Sequence, residues 1–213
     1  MSVRHVLVAL LLAGGLVACG DEGSEPSSTA GSSPSASPGT SAAEPLPTGK
    51  SDLVVDAGTY GSPEGFRPAL ELQVPAGWTS VHRGADAFDL GKPDPSRDAP
   101  LVAVVVMRPP QANAAEALAA ARDAATGAVA PVDGVDLVGL PAEGVDLLGG
   151  HGQVVESADG GIALDAGPDQ RLRLLAVDVG DDPLLVAVLV PDGAHFYAAW
   201  QQVKPLLAGI TAA

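Results

Sequence analysis

Two apolar runs, residues 101–107 and 184–190, limit what this chain can fold into. Each is continuous, rich in valine or leucine, and the length of a strand. A membrane-spanning helix needs about 20 apolar residues, and neither run approaches that. A strand with no polar face belongs inside a sheet covered on both sides. A layered fold with at least one central sheet is therefore expected.

The start of the chain sets its expected location. Met1 to His5 form a short basic stretch, and an apolar run from Val6 to Val17 follows. The run is too short to span a bilayer and reads as an export signal. It ends in Leu16-Val17-Ala18-Cys19, which resembles the lipobox of bacterial lipoproteins, where a small residue precedes a lipidated cysteine. The resemblance implies cleavage before Cys19, acylation of Cys19, and attachment to the extracytoplasmic face of the cell membrane. Cys19 is the one cysteine of the 213 residues, so no disulfide forms within the chain.

Residues 19–50 are rich in Ser, Thr, Pro, Gly, Ala and Glu, and Leu46 is the one large apolar side chain in the segment. Such a segment buries too little surface to offset its chain entropy and is expected to be a disordered tether. The expected organisation is a signal peptide at 1–18, the tether at 19–50 and a single domain at 51–213. A domain of that length buries a core without disulfides or metals.

The formal net charge is −15. That excludes nucleic acid as a natural partner, because the surface repels phosphate backbones. It also opposes flat docking on anionic lipid.

Within the domain, residues 70–74 alternate apolar and polar and read as a half-buried strand. Strands are also expected at 78–82, 87–90, 135–140 and 144–148, the last two around Pro141-Ala142. Shorter ones are expected near 153–155 and 162–165. Asn113 with Glu116 forms a capping-box pattern ahead of an alanine-rich helix to about Gly127. Residues 171–179 and 184–190 flank Gly180-Asp181-Asp182-Pro183, a hairpin signal. Asp192 is placed to cap a last helix. There Phe196, Trp200, Val203 and Leu207 make one apolar stripe, expected to lie across the sheet.

Phe66-x-Pro68, Leu70-x-Leu72-x-Val74-Pro75-x-Gly77-Trp78, Phe88-x-Leu90 and Val138-Gly139-Leu140-Pro141 follow one another ahead of the final hairpin and helix. This order resembles secreted actinobacterial lipoproteins of the LpqN type, which have the PsbP-like fold, over about residues 53–210. The resemblance implies an α+β architecture, an antiparallel sheet sandwiched by helices. It also implies binding or scaffolding rather than catalysis.

The residues themselves carry little catalytic chemistry. Ser51, Ser62, Ser80, Ser96 and Ser157 lie outside any G-x-S-x-G elbow. His82, His151 and His195 sit in separate segments without H-E-x-x-H, so converging zinc ligands are not expected. The acidic stretch 159–169 lacks the register of a calcium loop. Gly149-Gly150-His151-Gly152 lacks the Lys-Ser/Thr of a phosphate loop and reads as a turn. Asp181-Asp182 suits a hairpin turn better than a catalytic pair. Trp78 and Trp200 are assigned to the core.

The expected function is a lipid-anchored, non-enzymatic cell-envelope module that binds a protein, lipid or glycan partner. A carrier or sensor of a small apolar molecule in a pocket between sheet and helix is the alternative, and an envelope hydrolase is disfavoured. Cys19 is the one site residue assigned; no catalytic residue, metal ligand, cofactor or ligand-binding residue is.

Overall fold

The computed structural model of the chain describes residues 43–96, 100–125, 127–148, 153–158, 160–164 and 169–213. Its strands are β1 (Leu53–Val55), β2 (Gly58–Gly61), β3 (Leu70–Val74), β4 (Trp78–Gly84), β5 (Ala87–Pro93), β6 (Pro100–Met107), β7 (Ala128–Leu137), β8 (Leu140–Leu148), β9 (Gln153–Ser157), β10 (Gly160–Leu164), β11 (Arg171–Val179), β12 (Asp182–Val190) and β13 (Ile210–Ala212). Helix α1 (Ala114–Asp123) follows β6. A 3-10 turn at Gly193–His195 leads into α2 (Phe196–Ala208).

The two apolar runs pair with each other at the centre of an eight-stranded antiparallel sheet, ordered β1-β4-β5-β6-β12-β11-β8-β7. Val104 stands opposite Val188 and Val106 opposite Val186. Alternate residues of these strands feed two separate cores. Val102, Val104, Val106, Val186 and Val188 join one, and Val105, Met107, Leu185 and Ala187 join the other. This two-sided burial is why neither run contains a polar position.

The face of Val105, Met107, Leu185 and Ala187 carries α1. Asn113 Oδ1 accepts from Glu116 N–H at 2.9 Å, as its capping pattern requires, and Asp178 Oδ1 of β11 accepts from Ala114 N–H at 2.7 Å. Ala114, Ala117, Leu118 and Ala121 are buried against the sheet. Their small side chains let the helix approach it closely. The helix stops at Asp123, one turn short of the expected Gly127.

The opposite face carries α2 and a smaller sheet, β13-β3-β2. Phe196, Trp200, Val203 and Leu207 are all buried, so the stripe packs inward as expected. The expected antiparallel sheet with helices packed on it is what the chain forms.

Some boundaries differ from those the sequence suggested. The domain does not begin at Ser51. Leu46 is 3% exposed in the α2-side core, Leu46 N–H donates to Gly61 O at 2.7 Å, and His82 N–H donates to Gly49 O at 2.8 Å. Residues 43–50 thus strap the edges of both sheets, anchored by the one large apolar side chain of the segment. The β7–β8 hairpin turns at Val138-Gly139, both at positive φ, and not at Pro141-Ala142. Pro141 is tolerated inside β8 because β11 pairs with β8 only from Glu143 onward, leaving Pro141 with one neighbour. β9 and β10 pair with each other as a separate hairpin. β1, β2 and β13 are short strands the sequence did not announce.

Candidate functional site

The strongest concentration of polar chemistry lies under α2, on residues no sequence motif singled out. On β11, Arg171 and Arg173 are two apart and so project to the same face. β8 pairs beside them, with Asp146 directly opposite Arg173. Asp146 is 3% exposed and receives both arginines. Arg173 grips it bidentately, Nε to Oδ1 at 2.7 Å and Nη2 to Oδ2 at 2.9 Å, while Arg171 Nη2 also donates to Oδ2. Burial pushes the Asp146 carboxyl up, but the hydrogen bonds and charges of Arg173 and Arg171 together outweigh it and hold the carboxyl below its usual range.

Helix α2 roofs this triad with aromatic faces. The Arg171 guanidinium lies 4.0 Å from the Phe196 ring centre, and that of Arg173 lies 4.8 Å from Phe196 and 4.2 Å from Trp200. The two rings are nearly parallel, 6.2 Å apart. Cation–π contacts run from about 0.5–1 kcal/mol when exposed, nearer the case of Arg171, to about 2 kcal/mol when desolvated, nearer that of Arg173. Arginine serves both partners because its flat guanidinium stacks on rings while its edge forks a carboxylate.

Beside the triad an open groove of about 640 Å³ runs between α2 and the β7–β8 hairpin. Trp200 and Leu207 form the helix wall, Val132 and Val135 the strand wall, and Arg173 reaches its floor. Lys204 stands on one rim, Asp133 and Asp136 on the other. Along the groove β7 bulges between Val132 and Val135, with Gly134 at φ +71°. The volume is that of a site for a small organic molecule, typically about 300–1,000 Å³.

A second buried carboxylate sits on the α1 side. Asp89 of β5 is 6% exposed and takes Arg83 Nε on Oδ2 at 2.6 Å, with Arg83 Nη2 on the same oxygen. Its Oδ1 is buried with no hydrogen-bond partner. Burial raises the Asp89 carboxyl above its ordinary value, and the Arg83 bond and charge only partly offset this.

The residues weighed from sequence do not converge. Cys19, His151 and Gly149 to Gly152 lie outside the described residues. His82 is exposed, and His195 Nδ1 pairs with Asp192 at 2.9 Å. Ser62 Oγ accepts from Leu70 N–H, Ser80 Oγ donates to Pro47 O, and Ser96 Oγ donates to Asp94. Asp192 caps the 3-10 turn before α2 by accepting from Ala194 N–H. Among the described residues no three of His, Cys, Asp or Glu gather as metal ligands, and no helix is long and apolar enough to cross a membrane. The motif residues Phe66, Leu70, Leu72, Val74, Trp78, Phe88 and Leu90 share one core cluster, so they pack the fold and leave the groove to other residues.

No family model matches the chain, and no curated protein matches it in sequence. Among solved structures it is similar to a protein of Bacteroides thetaiotaomicron at 11% identity and TM-score 0.39, over 68% of this chain; it spans 45% of the length of that one. It is also similar to the Ran-binding protein Mog1p of Saccharomyces cerevisiae, at 9% identity and TM-score 0.41, over 67% of this chain and 89% of that one. LpqN of Mycobacterium tuberculosis, described as involved in cell envelope biogenesis, matches at 8% identity and TM-score 0.40, over 76% of this chain and 88% of that one.

Proposed function

We propose that this chain is a non-enzymatic binding module of the cell envelope, held to the extracytoplasmic face of a membrane by acyl groups on Cys19, with the α2 groove as its ligand site. The Leu16-Val17-Ala18-Cys19 run and the Ser- and Pro-rich segment behind it support the anchor. The groove supports the binding role: a trough of small-molecule size with apolar side chains on both walls and Arg173, Lys204, Asp133 and Asp136 among its lining residues. Its buried carboxylate favours binding over acid–base catalysis. Two arginines keep Asp146 ionised and occupied, so it neither donates a proton nor frees a lone pair for one.

The test is mass spectrometry of the protein purified from a cell that exports and lipidates it. The amino-terminal peptide should begin at an acylated Cys19, and organic extraction should release a small molecule in one-to-one amount. Val135→Trp, which fills the groove from its half-buried strand wall, should come out without that molecule. A start elsewhere without acylation removes the anchor. Retention of the molecule by the filled variant removes the groove.

A further inference from the structure

Taking the groove as the ligand site, we infer that its ligand is an anionic amphiphile, a carboxylate on a single apolar chain, held by Lys204 and the free edge of Arg173. The chain carries 26 acidic and 11 basic residues. Three of those basic residues, Arg171, Arg173 and Lys204, meet at or beside this trough; Asp146 is buried behind the two arginines, and the carboxylates of Asp133 and Asp136 line the trough on the hairpin side, so the cations are gathered on the side of α2 and β11. Arg173 commits Nε and Nη2 to Asp146, which leaves its Nη1 amino group without a protein acceptor among the described residues. Lys204 is exposed and forms no ion pair there. Two donors with positive charge therefore border the apolar surface of Trp200, Leu207, Val132 and Val135. Charge-assisted hydrogen bonds of this kind suit a carboxylate head, and the apolar walls suit its tail. Asp133 and Asp136 on the far rim repel the head from the hairpin and confine it to the helix side.

The groove also limits size. A site of about 640 Å³ takes one chain and a compact head, in the range of small-ligand pockets.

The experiment uses the full chain with Cys19→Ser, so that no attached acyl group competes, and follows Trp200 fluorescence, with Trp200→Phe as the control for signal from Trp78. Dodecanoate, dodecanol and dodecyltrimethylammonium are titrated separately, each below the concentration at which it forms micelles. Dodecanoate should give a saturable change and bind about tenfold more tightly than dodecanol, the ratio for one charge-assisted contact of about 1.4 kcal/mol. Lys204→Glu should remove that preference while the melting temperature stays put, since Lys204 is exposed and has no ion-pair partner among the described residues. Asp136→Asn should tighten dodecanoate binding severalfold. Equal binding of dodecanol, tighter binding of dodecyltrimethylammonium, or an unchanged preference in Lys204→Glu overturns the anion assignment while leaving the groove as a site. Absence of any saturable change with all three overturns the groove as well.

Discussion

Among the described residues each face of the large sheet buries one aspartate, and the two aspartates have opposite characters. Asp146, under α2, is forked by Arg173 and reached by Arg171, and its carboxyl titrates below the ordinary range. Asp89, on the α1 side beside Val105, has one arginine on one oxygen and nothing on the other, and its carboxyl titrates above that range. Both are little exposed, 3% and 6%, and Asp89 lies deeper among protein atoms, but depth alone does not explain the opposite signs. The number of donors does. A buried carboxylate stays comfortably charged only when enough hydrogen bonds replace its water. The α2 side supplies them because two strands and an aromatic helix converge there. The α1 side supplies a single arginine, and both of its donors fall on the same oxygen.

The sharpest way to break this contrast is Asp146→Ala. It leaves Arg173, and the half-buried Arg171 beside it, beneath Phe196 and Trp200 with no counter-charge. Removing one partner of a buried ion pair costs about 3–5 kcal/mol. Against an ordinary stability of about 5–15 kcal/mol, denaturant unfolding should show a large fall in midpoint. A loss under about 1 kcal/mol would mean that the triad decorates the fold without holding α2 to it.

A smaller effect sharpens the contrast. Asp89→Asn keeps the shape, removes a charge that is poorly solvated, and should change stability by less than about 1 kcal/mol. The two Arg83 bonds are charge-assisted, but Arg83 is half exposed and water screens the pair to about 0–1 kcal/mol, which removal of the poorly solvated charge partly offsets. The same substitution at Asp146 forfeits charge-assisted bonds to two arginines, worth about 1.5–3 kcal/mol each. Equal losses in the two variants, read from urea unfolding, would show that the unpartnered Oδ1 carries no cost.

The framework of this molecule was legible in sequence, and the triad was not. β6 and β12 announced themselves by lacking any polar position, α1 by its Asn113–Glu116 cap, and α2 by a stripe at spacings of four, three and four. These signals are local, and each is read within one element. The triad is not local: Asp146 lies 25 and 27 residues from its partners, and only the β8–β11 register brings them together. One trace was present. Arg171 and Arg173 alternate with apolar residues in a strand-like segment, and Asp146 interrupts the apolar end of β8, so charges of opposite sign stood on faces that had to be partly buried. The strap at 43–50 escaped for another reason. Its composition is that of a tether, and one leucine fits it to the core, a signal that averaging over the segment erases. The β7–β8 turn was misplaced because Pro141 is the stronger conventional marker, whereas Val138 adopts a positive φ that valine seldom takes.

The smallest effect is on the pH dependence of stability, and it separates the two aspartates by sign. An unfolded aspartate titrates at about 3.9. Asp146 titrates lower when folded, so its contribution is fully present above about 3.9 and is lost as pH falls from there through its folded value. Asp89 titrates higher when folded, so the folded state takes up its proton first. As pH falls from the folded Asp89 value toward about 3.9, that uptake adds stability, and below about 3.9 it adds no more. The two residues therefore act in adjacent windows, Asp89 above and Asp146 below. Acidification also relieves the self-repulsion of a chain with net charge −15, but every variant shares that change, so differences from wild type isolate each residue. Urea unfolding of the wild type, Asp89→Asn and Asp146→Asn is measured from pH 7 to pH 3. The gap between wild type and Asp89→Asn should open in the upper window and stay constant below it. The gap between wild type and Asp146→Asn should stay constant in the upper window and narrow below about 3.9. Both gaps moving in the same window would mean that the two carboxylates titrate alike, and that one arginine satisfies a buried aspartate as well as two.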